Sequence, residues 1–435
     1  MKIAFIIGSP ALSGGLYVVL QHAAGLAARG HAVDLLTERK VSPQDFKWHD
    51  LAQRLSFRTL DESSDTQYDI ALSTWWETVL LLPKVRAARY ASFVQSIESR
   101  FYPASQELQK HFVEATYALN LPVITEARWI QELLRNDFGR SVFLARNGIR
   151  KDIYTASGPA IERKSPGKLR VLVEGPLDLP FKNVLRTLEI CAESAADEVW
   201  LLTSTPNTTS VPNASRVFSC VPVTETAAIY RSCDVLVKLS SVEGMFGPPL
   251  EMFHCGGTAI VYDVSGSDEY IRHGENAIVV AQGDEAGVLA AINKLHADPL
   301  TLAGLKAAAL KTAQAWPSWE AVATEFEQAL RAVQEEPPAS ATRITELAKA
   351  FQLWRAQTIR FQDDIEGLRQ MESHLRSVLD ARQLKLDSYV ANYHQLLESP
   401  LLKLLQKIQC IPGSRYIGAL VRACFPRASD RTSNS

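Results

Sequence analysis

The chain is short of cysteine: six in 435 residues, at positions 191, 220, 233, 255, 410 and 424, with no Cys-x-x-Cys pair. That spacing excludes a thiolate zinc site, argues against a disulfide framework and fits a reducing compartment. Surplus charge is also missing. The 46 Lys+Arg against 48 Asp+Glu leave a net charge of -2, with no basic stripe to attract nucleic acid. No run approaches 18 charge-free apolar residues, so no transmembrane helix is expected. The apolar run Ile3–Ile7 is too short for a signal peptide and reads as a buried strand. The expected location is cytoplasmic. His22, His31, His49, His111, His254 and His273 lack metal-ligand spacing, and no paired-Asp motif suits a metal-held diphosphate, so no metal and no cofactor are expected. Gly8-x5-Gly14 lacks the Gly-x-Gly-x-x-Gly spacing of a dinucleotide dehydrogenase.

What is present is a globular composition, 46% hydrophobic, long enough for two or three domains. Apolar strand runs alternate with helical periodicity. Strands are predicted at Ile3–Ile7, Ala32–Thr37, Ile70–Ser73, Ala91–Gln95, Val123–Thr125 and Ser141–Ala145. A break at 156–167 carries Ser157-Gly158-Pro159 and Ser165-Pro166-Gly167, and the alternation then restarts. Strands follow at Leu169–Val173, Glu198–Thr203, Asp234–Leu239 and Thr258–Tyr262, with helices at Val184–Ala192, Thr224–Cys233 and Pro249–Cys255. The fold class is α/β: two Rossmann-like doubly wound domains, 1–155 and 168–334, facing a cleft at the carboxyl ends of their strands.

The pattern changes after Glu335-Glu336-Pro337-Pro338. Sixteen positions from Ile344 to Leu396 alternate spacings of three and four, and only Thr358, Glu372 and Arg382 among them are polar. Such heptads favour a coiled coil over 342–397 and, through it, a homo-oligomer or a partner protein. The alternative is a helical hairpin packed on the body. In the last segment, 398–435, the stretch Ser399–Ser435 carries six Lys/Arg against one acid (Asp430) among Leu401, Leu402, Leu404, Leu405, Ile408 and further apolar residues. A basic amphipathic segment of this kind suits peripheral contact with the inner face of a membrane, and packing on the protein is the competing reading.

The chemistry concentrates at residues 234–257. A strand ends near Ser240, and a glycine-containing loop leads to a helix expected to start at Pro249, with Glu251 in its first turn. Glu243 stands eight residues before Glu251, so the two carboxylates flank one loop and can accept hydrogen bonds from a polyhydroxylated ligand. Loop amides and helix N-termini nearby suit a diphosphate.

This stretch resembles the nucleotide-binding domain of the retaining glycosyltransferases of family 4, which have the GT-B fold and the signature Ser-x-x-Glu-Gly-Phe-Gly-x-Pro-x-x-Glu-Ala-x-x-x-Gly. Ser240, Glu243, Gly244, Gly247, Pro249, Glu251 and Gly256 answer to it. Met245-Phe246 stands for its Phe-Gly with a one-residue shift, and Met252 for its alanine. Gly14-Gly15 resembles the family's N-terminal Gly-Gly loop, Gly30-His31-Ala32-Val33 its Gly-His-x-Val turn, and Asn147-Gly148-Ile149 its Asn-Gly-Val/Ile turn. Lys182-Asn183 looks like the pair whose lysine holds the donor diphosphate. The family's arginine just before it is absent: Val173-Glu174-Gly175-Pro176-Leu177-Asp178 puts two acids there instead. Gln95 and Glu98 occupy the region where many members have a histidine. Their Gln-x-x-Glu stretch resembles bacterial surface-glycan enzymes of the O-antigen kind that include rhamnosyltransferases. Val264–Ile271 resembles the loop closing beside the donor, and Trp316-Pro317-Ser318-Trp319 the start of the final helix that crosses back to the first domain.

The resemblance implies retaining transfer of a hexose or deoxyhexose from a nucleotide sugar to a glycan, lipid-linked or on a surface polysaccharide, without a metal. It implies Glu243 and Lys182 as catalytic groups. It gives Glu251, Gly14, Gly15, Asn183, Gly244, Met245, Phe246 and Gly247 to the donor, and Gln95 and Glu98 to the acceptor. Two alternatives stay open: a scaffold that keeps the fold without turnover, suggested by the missing arginine, and a sugar-nucleotide epimerase.

Overall fold

The computed structural model describes residues 1–163 and 167–409. Its strands form two all-parallel sheets. The first holds β1 (Lys2–Ile6), β2 (Ala32–Thr37), β3 (Ser56–Thr59), β4 (Tyr68–Ser73), β5 (Ala87–Val94), β6 (Val123–Thr125) and β7 (Val142–Leu144), in the order 3-2-1-4-5-6-7. The second holds β8 (Arg170–Glu174), β9 (Glu198–Thr203), β10 (Arg216–Ser219), β11 (Val235–Lys238), β12 (Thr258–Tyr262) and β13 (Ile278–Val280), in the order 10-9-8-11-12-13. In each sheet the strand order reverses once, between β1 and β4 and between β8 and β11. Those switch points open a crevice beyond the carboxyl ends of the strands, where ligands of such sheets bind.

The central strands form because helices cover both of their faces, which demands continuous apolar runs. Ile3–Ile6 and Val235–Val237 are fully buried. The helix Gly14–Ala28 starts where the Ser13 hydroxyl accepts from the Leu16 amide at 3.2 Å, and stops before Gly30, whose φ of +85° suits glycine. Three strands escaped the sequence reading: β3, β10 and β13. All three are sheet edges of three or four residues, too short and too polar or isolated to show a period.

The helix Trp319–Glu335 follows the second sheet in sequence but packs on the first. Its Trp319, Val322, Phe326 and Leu330 share a core with Ile3, Phe5 and Phe93. The Phe326 ring lies 4.1 Å from that of His22 and 5.3 Å from that of Phe93. This is the crossing-back expected at Trp316–Trp319. Gly148 makes it possible, because a Cβ there would stand 2.4 Å from the Trp319 amide nitrogen. Met1–Phe351 accordingly forms one compact unit, and the described residues from Gln352 onward belong to a second.

The helix Ala341–Leu397 runs unbroken for 57 residues, so the hairpin alternative is not what forms. Its first apolar positions belong to the body. Ile344 and Phe351 are buried, Leu347 packs beside them, and Phe351 meets Trp76 edge-on at 5.0 Å. From Gln352 onward its large apolar side chains are mostly exposed. A last described helix spans Pro400–Gln409. Cys410 to Ser435, most of the basic segment, lies outside the described residues, as do Lys164, Ser165 and Pro166. No helix among the described residues is long and apolar enough to cross a membrane.

Candidate functional site

The switch point of the second sheet gathers five charged side chains. β11 ends at Lys238, and the loop after it carries Glu243. A tight turn at Pro180–Lys182 presents Lys182, and Asn183 takes the left-handed φ of +54° that lets the helix Val184–Glu193 begin. Lys182 Nζ lies 2.8 Å from both carboxylate oxygens of Glu243. The two candidate catalytic residues thus meet, across 61 residues of sequence.

Lys238 lies on the other side of this pair. Its Nζ donates to Glu174 Oε2 at 2.6 Å and to the Glu174 carbonyl at 3.2 Å, and stands 3.8 Å from Glu243 Oε1. Only 3% of the Lys238 side chain and 8% of Glu243 are exposed, against 19% of Lys182. Burial opposes the Glu243 charge, yet Lys182 and Lys238 together hold its carboxyl below the usual carboxylate range. Burial likewise opposes the Lys238 charge, and Glu174 and Glu243 more than restore it. Sequence reasoning missed Lys238 because it ends an apolar run, Val235-Leu236-Val237. The usable signal was a lysine as the last residue of a strand otherwise buried on both faces. Lys238 also stands beside Gly175, where a Cβ would lie 3.7 Å from Nζ, and it neutralises Glu174.

Glu251 is placed differently from expectation. The helix begins at Gly247, not Pro249, so Glu251 falls in its second turn. Burial and then the Glu174 charge push its carboxyl up to about 7, while hydrogen bonds from Tyr230 and Tyr154 pull it back.

Loops from the first sheet close directly on this cluster. After β5, the Ser96 hydroxyl donates to the Glu243 carbonyl at 3.3 Å. A Cβ on Gly244 would lie 1.8 Å from the Gln95 carbonyl oxygen, so only glycine fits. After β6, Glu126 accepts from the Met245 amide at 2.9 Å and from Asn147 Nδ2 at 2.8 Å, and Trp129 Nε1 donates to the Gly244 carbonyl at 3.0 Å. Phe101 stacks on Phe181 at 4.7 Å. Burial pushes the Glu126 carboxyl up to about 7 despite its two donors. Glu126 and Trp129 were not singled out from the sequence. A carboxylate directly following a buried strand at the crevice, Val123-Ile124-Thr125-Glu126, was the available sign.

The other predicted residues divide. Gly15 faces the Gln95 amide, at 3.5 Å for an added Cβ, whereas among the described residues nothing stands within 4 Å of one on Gly14 or Gly247. The Gln95 Oε1 atom is buried and has no hydrogen-bond partner among the described residues. Met245 and Phe246 are buried, and the Phe246 carbonyl accepts from the Tyr270 hydroxyl, so their side chains anchor the loop. Glu98 is buried too. Its carboxylate accepts from the Trp76 amide at 2.8 Å, its own amide donates to the Tyr117 hydroxyl, and burial pushes it up to about 8. Its partners are therefore Trp76 and Tyr117, not the Glu243 cluster. Among the described residues no three His, Cys, Asp or Glu side chains are grouped to hold a metal ion.

Residues 208–312, which include Lys238, Glu243 and Glu251, match the family model "Glycosyl transferases group 1". No curated protein matches the chain. Among solved structures, a sucrose-phosphate synthase of Thermosynechococcus elongatus is similar with TM-score 0.59 and 19% identity, over 77% of this chain and 99% of that one. Anabaena HepE in complex with UDP-glucose is similar with TM-score 0.60 and 14% identity, over 76% and 100%. A glycosyltransferase of Rickettsia africae is similar with TM-score 0.55 and 11% identity, over 77% and 99%. The architecture is that of the GT-B fold, two Rossmann-like domains with a helical C-terminal region.

Proposed function

We propose that this chain is a glycosyltransferase that moves a sugar from a nucleotide-sugar donor to a glycan acceptor, with retention of configuration. The observation that carries the reading is the Lys182–Glu243–Lys238 cluster at the switch point of the second sheet. The match of residues 208–312 supports it, as does the fold shared with HepE, whose structure contains UDP-glucose.

In this reading Lys182, the more exposed lysine, meets the donor diphosphate and stabilises the leaving nucleotide. Glu243 accepts hydrogen bonds from the donor sugar and orients it. Glu251 takes the ribose, and Gly15 lets the backbone approach the donor beside Gln95, whose unpartnered Oε1 is an acceptor for a substrate hydroxyl. Lys238 keeps Glu243 ionised when Lys182 turns to the diphosphate. The acceptor proton passes to the departing donor phosphate, so the reaction asks for no separate base and no metal. The loops around Gln95, Glu126 and Trp129 exclude water from the reacting sugar. A surface-polysaccharide or lipid-linked acceptor fits the basic C-terminal segment, and the resemblance of the Gln95–Glu98 stretch to that of rhamnosyltransferases makes a deoxyhexose the first donor sugar to try.

The scaffold alternative rested on the missing arginine, and Lys238 weakens it by supplying a cation beside Gly175. Glu243→Ala and Glu251→Ala, assayed for sugar transfer with folding checked by circular dichroism, test the reading. Sharp loss in both folded variants is expected, and unchanged turnover in both would overturn it. A donor-only incubation separates an epimerase, which would convert the nucleotide sugar without any acceptor.

A further inference from the structure

The long helix has an apolar stripe that the body does not use. Ile344 and Phe351 are buried. Further along, Phe361, Ile365, Leu368, Leu375, Leu379, Leu386, Tyr389, Tyr393 and Leu396 are each at least half exposed. These nine positions keep one alternating three–four rhythm, so they form one continuous stripe about 50 Å long at 1.5 Å per residue. Soluble helices do not keep such a stripe in water, and its narrow width is that of a helix–helix seam.

Two charged residues interrupt the stripe, Glu372 and Arg382, and they identify the partner. Glu372 is paired within its own helix by Arg376 at 2.7 Å. Arg382 has no acid one turn away in either direction, where Val378, Leu379, Lys385 and Leu386 stand. We propose that the stripe pairs with the same stripe of a second copy of this chain, antiparallel and centred on Ser377.

That centre is the midpoint of Glu372 and Arg382. It sets Arg382 of each copy against Glu372 of the other, and so removes both charged interruptions at once. The same register sets Leu375 against Leu379, Leu368 against Leu386, Ile365 against Tyr389 and Phe361 against Tyr393. A parallel, in-register pair would stack Glu372 on Glu372 and Arg382 on Arg382 inside the seam, where like charges are unfavourable. Its compensating contact, Asp364 with Arg369, would lie on the solvated rim, where charge pairs contribute little. The length of the helix agrees: the stretch outside the body, Gln352 to Leu397, has its middle at 374–375, so an antiparallel pair centred at Ser377 overlaps residues 357–397 of both copies. The inference is independent of the catalytic reading.

Sedimentation velocity on the full-length chain tests it, with circular dichroism to confirm that each variant folds. The wild type is expected at twice the 48.1 kDa chain mass. Glu372→Arg alone and Arg382→Glu alone should each weaken the dimer by about tenfold or more, because each creates two like-charged layers. The double variant Glu372→Arg/Arg382→Glu should return to within about threefold of wild type, since its charges again face opposites only when the helices run antiparallel. A monomeric wild type would overturn the proposal. So would a dimer indifferent to the single variants, or one that the double variant fails to restore.

Discussion

Lys182 holds Glu243 by both carboxylate oxygens at 2.8 Å, while Lys238 stands 3.8 Å from the same carboxylate on its buried side. One carboxylate therefore has an accessible counter-ion and an enclosed one. Removing the accessible one should cost function rather than fold. Lys182→Ala leaves Lys238 to compensate Glu243, so the melting temperature should change little. The kcat/KM of sugar transfer should drop by about a hundredfold, the size expected when a charge that stabilises a leaving group is lost. Steady-state kinetics beside a thermal melt check both halves.

Removing the enclosed lysine should do the reverse to stability. Lys238→Met leaves Glu174 and Glu243 short of a buried cation, and breaking a buried pair from one side costs about 3 kcal/mol or more. Adding Glu174→Gln removes one stranded charge and should recover at least about half of that loss. Urea denaturation of the two variants measures it.

Gly244 lies where the two sheets' loops meet. A methyl group there would collide with the Gln95 carbonyl, and backbone cannot step aside as a flexible side chain would. Gly244→Ala should destabilise the protein by about 2 kcal/mol and lower transfer at least about tenfold. Ser96→Ala, which removes only the 3.3 Å hydrogen bond to the Glu243 carbonyl, should cost under about 1 kcal/mol. Comparing the pair in urea unfolding and in activity shows whether close backbone docking, rather than the single bond, holds the loops together.

Three buried carboxyls give a sign to the pH dependence of stability. Burial raises Glu98 from 4.5 to about 8, and raises Glu126 and Glu251 to about 7. A raised carboxyl keeps its proton longer in the native state, so the native protein binds more protons than the unfolded chain and stability falls as pH rises through that window. His22 and His49, lowered by burial from 6.5 to about 3 and about 4, act in the opposite direction, but only below 6.5. Between pH 6.5 and 8 the carboxyls act without that opposition. The unfolding free energy should decline across this interval, and Glu98→Gln should reduce the decline by about 1 kcal/mol. A flat profile, or one that rises, would contradict these burial assignments.

The central strands and the Glu243 loop were legible because their physics is local. Val123–Thr125 and Thr258–Tyr262 are buried throughout, and Ala32–Thr37 and Glu198–Thr203 over most of their length, so their mainly apolar runs mark them residue for residue. The edges β3, β10 and β13 were not legible, since half of their environment is solvent and three or four residues carry no period. The site divides in the same way. Glu243 and Lys182 stand on loops where charged residues are conspicuous, but their contact crosses 61 residues and only the fold shows it. Lys238 was hidden as one polar residue in an apolar strand. Glu126 and Trp129 acquire their meaning only from the opposite sheet's Gly244 and Met245. Glu98 read as a loop carboxylate free for an acceptor, whereas its burial depends on Trp76 and Tyr117, which lie 22 and 19 residues away.

Calorimetric titration of the purified full-length protein with a panel of nucleoside diphosphate sugars tests the central claim most directly. The account predicts that at least one of them binds, that Lys182→Ala binds it at least about tenfold more weakly, and that the matching nucleoside without phosphates does not compete. A wild-type protein that binds no nucleotide sugar, or one whose binding is unchanged in both Lys182→Ala and Glu243→Ala, would contradict it.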